Sequence, residues 1–261
     1  MPSASPEPLL AVDGLTYGYD TRILQRHLDF AVGTGEVLCV IGGSGCGKST
    51  LLRVLTGLLP PMQGRVLIDN EDFWAAPPDR QEALIRRFGM MYQGGALWTS
   101  MTLAENVALP LELYTGLDAK SARAVAAYKL ALVGLAGFED FVPAAISGGM
   151  AKRAAIARAM ALDPEILFLD EPSAGLDPVT MHRLDELILD LRNTLGMSFV
   201  IVTHELASIF RVADRVVYLD AVTHTMTAIG PPRQLLVESS DPELVAFLSG
   251  GEGRQAPEGT A

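Results

Sequence analysis

The stretch "VIGGSGCGKST", residues 40–50, constrains this chain more than any other. Gly42, four residues and then Gly47-Lys48-Ser49 spell a phosphate-binding loop. An apolar run precedes it and the helical spacing of "STLLRVLTGLL" follows, which is the strand and helix that such a loop needs. Glycines let the backbone curl until successive amides face phosphate oxygens, and the start of the next helix adds its partial positive charge. Lys48 would neutralise β- and γ-phosphate charge, and the Ser49 hydroxyl would bind Mg2+.

A second element must complete the site. In "EILFLDE" four apolar residues, Ile166 to Leu169, precede Asp170, so that carboxylate ends a buried strand where it can hold Mg2+ directly or through water. Glu171 follows on the other face of the strand, where a carboxylate can orient and deprotonate an attacking water. His204 ends the next apolar run, "SFVIVTH", and Gln93 follows "FGMMY". Both sit at strand C-termini, where parallel sheets present ligands. Together these residues indicate a nucleoside triphosphatase.

The rest of the chain supplies a matching frame. "LLAVDGLTYGYD" and "HLDFAVGTGEVLCVIGG" read as β-rich, and "GRVLID" and "FGMMYQ" as further strands, with a short helix at "DRQEALIRR" between them. The helix after the loop is expected to stop only before Pro60-Pro61. From about Thr102 to Leu162 only helical periodicity remains. "EILFLDE", "MSFVIVTH" and "RVVYLD" then alternate with helices, as in a parallel, helix-covered sheet. Residues 1–8 read as a loose lead, and 250–261 as a disordered polar tail.

Composition sets limits on partners. At 261 residues and 49% hydrophobic content the chain can bury a continuous core, and its net charge of −11 argues against direct nucleic-acid binding. Cys39 and Cys46 suggest no disulfide scaffold, which fits a reducing compartment. Cys46, inside the loop, is expected to react with thiol reagents. No run approaches the roughly 20 apolar residues of a membrane span, so any membrane role would come through a partner. His27, His182 and His224 share no metal-like spacing, and "AKRAAIAR" is expected to be a solvated basic face.

A serine and two glycines, Ser147-Gly148-Gly149, open a further helix and form a second anion-friendly helix start. With this element the chain resembles the ATP-binding cassette (ABC) ATPases over roughly residues 9–235. The resemblance implies an α/β fold: a RecA-like P-loop core with a mainly parallel sheet, an N-terminal antiparallel β subdomain, and a helical subdomain at about 94–162 within a domain of 9–249. It implies ATP and Mg2+ as ligands. ATP would contact Tyr19 (with Tyr17 as the neighbouring candidate) and the loop residues Gly42, Gly43, Ser44, Gly45, Cys46, Gly47, Lys48, Ser49 and Thr50. Ser49, Gln93 and Asp170 would serve the metal, Glu171 would be the catalytic base, and His204 the switch histidine. Ser147, Gly148 and Gly149 match the signature and Asp177 the D-loop aspartate, elements that meet ATP held by a second copy. Met150 stands where most members have glutamine.

"SGGMAKRAAIARAMALDPEILFLDEPSAGLDPVTM" and "FGMMYQGGALWTSMTLAENVALPL" are similar to one branch, the ATPase subunits of Mla and Mce-associated lipid transporters. That branch implies an ATPase at the cytoplasmic face of the inner membrane, working with permease subunits, an Mce-type lipid-binding subunit and a small accessory protein. Trp98 is either a half-buried aromatic or part of a partner surface. The alternatives are an ABC transporter for another substrate, a soluble ABC ATPase of DNA repair or translation, and a small-molecule P-loop kinase. The kinase has no use for the signature.

Overall fold

The computed structural model describes residues 8–250. Apart from Pro8 and Gly250, the expected lead and tail lie outside the described residues. The chain runs β1 (Leu10–Tyr19), β2 (Arg22–Val32), β3 (Val37–Gly42), α1 (Lys48–Leu55), β4 (Gln63–Ile68), β5 (Glu71–Asp72), α2 (Pro78–Ile85) and β6 (Phe88–Met91). Then come α3 (Leu103–Tyr114), α4 (Ala119–Leu132), a 3-10 turn at Pro143–Ala145, and α5 (Gly148–Ala159). The last part holds β7 (Ile166–Asp170), α6 (Pro178–Leu195), β8 (Ser198–Val202), α7 (Leu206–Val212), β9 (Arg215–Asp220), β10 (Thr225–Gly230), α8 (Pro232–Glu238) and α9 (Pro242–Leu248).

Two sheets form. One has the order β2-β1-β4-β5, with antiparallel pairing throughout. The other has the order β10-β9-β3-β8-β7-β6, parallel except for β10 at its edge. Every residue of β3, β7 and β8 is buried, because both faces of this sheet are covered, and their sequences are accordingly continuous apolar runs.

Alternation along these strands decides which face each side chain serves. Cys39, Ile41, Leu167, Leu169, Phe199 and Ile201 enter one core with the helices α3 to α6. Leu38, Val40, Ile166, Phe168, Val200 and Val202 enter the other, with α1 and the antiparallel sheet. Asp170 has the parity of Ile166 and Phe168, so the strand aims it at the α1 side.

Several local expectations are corrected. Helix α1 ends at Leu55 rather than before Pro60, because Gly57 turns left-handed (φ 80) and the Leu58 and Leu59 N–H groups fold back onto the Arg53 carbonyl at 2.8 and 3.1 Å. Strands β5 and β10 and helices α8 and α9 were not expected. The two helices announce themselves through Pro232 and Pro242 at their first positions and through the Asp241 cap. The "AKRAAIAR" basic run is not a solvated face. Lys152 is buried, Arg153 donates to the Val133 and Gly134 carbonyls, and Arg158 donates to those of Gly95 and Ala96. No helix among the described residues is long and apolar enough to cross a membrane.

Candidate nucleotide site

The turn from β3 into α1 builds the loop. At Gly42 (φ 145) a Cβ would lie 2.3 Å from the Leu219 carbonyl oxygen, so only glycine lets the loop leave the sheet against β9. Lys48 reaches back across the loop, its Nζ donating to the Gly42 and Gly43 carbonyls at 2.8 and 2.9 Å. A cavity of about 300 Å³ opens above, floored by Ser44, Gly45 and Gly47 to Thr50 and walled by Leu24, Gln93 and Glu171.

Asp170 ends β7 and meets the loop at Ser49, and Glu171 follows it and lines the cavity. The Ser49 Oγ donates to Asp170 Oδ1 at 3.0 Å, joining the hydroxyl and the carboxylate that the sequence pairs for a metal. Burial pushes the Asp170 carboxyl up; the Ser49 hydrogen bond opposes this and the neighbouring Glu171 adds to it. Glu171 leaves the strand with φ 48, its N–H held by the Val202 carbonyl at 2.9 Å. Its Oε1 lies 2.9 Å from His204 Nδ1, and its Oε2 is buried without a hydrogen-bond partner. The donor set fits Mg2+, a hard cation that takes one or two protein oxygens and completes its shell with phosphates and water.

The two tyrosines separate by burial. Tyr17 is fully buried beneath the loop and donates to the Gly47 carbonyl at 3.2 Å, so it serves the core. Tyr19 is 41% exposed, with its hydroxyl 3.0 Å from Arg53 Nη1 and 3.5 Å from Thr50 Oγ1. Cys46 is buried and burial pushes its thiol up, against the expected reactivity. It offers the loop its backbone.

The structure does not bring every motif to this cavity. Ser147 caps α5 by accepting from the Met150 N–H, and Asp177 caps α6 by accepting from the Val179 and Thr180 N–H groups. Neither they nor Gly148 and Gly149 line the cavity. The two helix starts instead meet each other: a Cβ on Gly149 would sit 2.3 Å from Thr180 Cγ2. Met150 is partly buried against the core.

Two structural side chains had gone unnoticed in the sequence. Gln25 is fully buried, and its Nε2 donates to the Cys46 carbonyl at 2.9 Å and the Asp220 carbonyl at 3.0 Å, tying the loop to the end of β9. Asn106 accepts from the Trp98 N–H and donates to the Trp98, Met101 and Thr102 carbonyls, fixing the segment after Gln93.

Known proteins are similar to this chain in sequence and in fold. Residues 25–174 match the ABC transporter family. The chain is 37% identical, over 93% of its length and 90% of the relative's, to the intermembrane phospholipid transport system ATP-binding protein MlaF of Haemophilus influenzae. It is 38% identical over 92% of its length to the probable ribonucleotide transport ATP-binding protein mkl of Mycobacterium bovis, of which it covers 66%. Its fold is similar, with a TM-score of 0.75 and 28% identity, to a dimeric ATP-binding cassette in a post-hydrolysis state bound to ADP and Pi. That match covers 85% of this chain and 98% of the other. A P-loop completed by Asp170 and Glu171, with a serine-glycine helix start outside it, is thus found where sequence and fold both agree: the chain belongs to the ABC transporter family.

Proposed function

We propose that this chain is the ATP-hydrolysing subunit of a phospholipid transporter and that two copies share each ATP. One observation carries the reading. Lys48, Ser49, Gln93 and Glu171 line one cavity, with Asp170 bonded to Ser49 and His204 to Glu171, while Ser147–Gly149 and Asp177 lie outside it.

ATP is held by the loop amides from Gly42 to Thr50, with Lys48 on the phosphates and the exposed Tyr19 ring against the adenine. Ser49 and Asp170 would hold Mg2+, with Gln93 in reach of the same cavity, and the ion would supply charge neutralisation on the phosphates. Glu171 is the general base: it lines the cavity, its Oε2 has no hydrogen-bond partner among the described residues, and His204 fixes the orientation of Oε1. Ser147, Gly148 and Gly149 of one copy meet the γ-phosphate held by the other, with Asp177 at the same junction.

A membrane partner has a surface to dock on. Two adjoining cavities of about 370 and 380 Å³ share Phe88, Tyr114 and Leu162, and carry Tyr92, Trp98 and Leu113 exposed along them. Exposed aromatic side chains around a concave apolar surface mark a protein interface. Permease subunits dock there, against the helical part of the chain at about 94–162, which anchors it at the cytoplasmic face of the inner membrane. An Mce-type lipid-binding subunit and a small accessory protein complete the assembly. Phospholipid as cargo rests on the likeness to the Haemophilus influenzae protein, and the likeness to the Mycobacterium bovis protein supports ribonucleotides as the second reading.

Affinity purification from detergent-solubilised membranes, with mass spectrometry of proteins and lipids, tests the cargo. A permease with an Mce-type subunit and phospholipid is expected. A different permease would overturn the lipid assignment, and ribosomal or DNA-repair partners alone would overturn transport.

A further inference from the structure

Lys152 is a buried charge that the proposed mechanism does not use. Lys152, on α5, is only 8% exposed, and its Nζ donates to the Glu171 carbonyl at 3.4 Å in a buried contact. Burial pushes the ammonium down, and the charges of Glu171 and Asp170 pull it back up. Burying a lysine is costly unless a partner compensates, so this side chain needs a reason.

Glu171 supplies it. A non-glycine residue at φ 48 is strained and persists only where its surroundings hold it. The next residue is Pro172, whose nitrogen has no hydrogen to donate. Three hydrogen bonds restrain the backbone at Glu171: its N–H donates to the Val202 carbonyl on β8 at 2.9 Å, and its C=O accepts from the Ala174 N–H at 3.2 Å, within the local turn, and from Lys152 Nζ at 3.4 Å, the one that ties it to α5. The direction of the carboxylate follows from that backbone conformation. Lys152 also lies five residues beyond Ser147 on the same rigid helix, whose start is wedged against Thr180 at Gly149.

We propose that Lys152 is a positioning residue, which holds the backbone of Glu171 in its left-handed turn and makes contact at Ser147–Gly149 felt at the catalytic carboxylate. This rests on the reading of Glu171 as the base. In the closed dimer the start of α5 meets one ATP while Glu171 of the same chain acts on the other, so Lys152 links the two sites.

The test compares Lys152→Met and Lys152→Arg in the full-length chain, reading ATP turnover and equilibrium ATP binding. Methionine keeps the length and apolar stem and removes the donor. Lys152→Met is expected to lower kcat about tenfold, roughly the effect of a small loss of alignment at a reacting group, with ATP affinity within about twofold of wild type. Lys152→Arg restores most of the turnover. In a double-mutant cycle, Ser147→Ala costs less turnover beside Lys152→Met than alone. Unchanged kcat in Lys152→Met, a loss matched by equal loss of ATP binding, or full additivity with Ser147→Ala would each overturn the proposal, while lost turnover in Glu171→Gln would leave Glu171 as the base. If Glu171→Gln turned over ATP like wild type, the underlying reading would fall and this proposal with it.

Discussion

Single side chains here do the work of orientation, and their legibility varied for physical reasons. Lys48, Ser49 and Asp170 were readable because a P-loop fixes its own geometry and strand parity points Asp170 at α1. Gln25 was not. Phe30 and Leu28 alternate inward along β2, which would send Arg26 inward next, but His27 (φ 54) is a bulge that shifts the phase to Gln25. Gln25→Leu leaves two buried carbonyls without that donor and is expected to cost about 1–3 kcal/mol, seen as a lower melting temperature, together with weaker ATP binding. Glu171→Gln keeps the shape of the site and removes the base. Turnover should fall by about 10²–10⁴-fold with ATP still bound, whereas Lys48→Ala loses binding too. Asp170 behaves differently. Its raised pKa means that the folded chain holds the proton more tightly than the unfolded one, so its contribution to stability is present at acid pH and is lost as pH rises through the folded value. Asp170→Asn, which still accepts from Ser49, should raise the melting temperature of the nucleotide-free protein at neutral pH while abolishing turnover.

At the level of elements, the starts of α5 and α6 meet each other at Gly149 and Thr180. The continuous apolar runs of β3, β7 and β8 announced strands covered on both faces, and Ser147 announced the start of α5, which it caps. What the sequence hid was the packing of α5. Its basic residues read as a solvated face on composition alone, yet they reach inward to backbone carbonyls that no helix or strand satisfies. The C-terminal strand and helices were missed because β10 is only partly buried and carries little periodic signal. The junction of α5 with α6 gives a direct test. Gly149→Ala drives a methyl into Thr180 Cγ2, so the two helix starts must separate. Binding of ATP to the P-loop should survive in that variant, while closure on a second copy is lost. Light scattering beside a nucleotide-binding assay reads both.

The whole molecule divides its surfaces by chemistry. The chain has a net charge of −11, and its nucleotide cavity has a different lining from its apolar, aromatic-rimmed groove. Trp98 is 57% exposed there, on a segment that Asn106 fixes. Trp98→Ser with Leu113→Ser should leave ATP binding intact and abolish capture of the permease from solubilised membranes. The central claim is that ATP is shared between two copies. The molar mass of the Glu171→Gln chain, measured by light scattering with ATP and Mg2+, tests it most directly. A shift from the 27.9 kDa of one chain to twice that mass is expected when ATP is added. A mass that stays at one chain with ATP bound would contradict it.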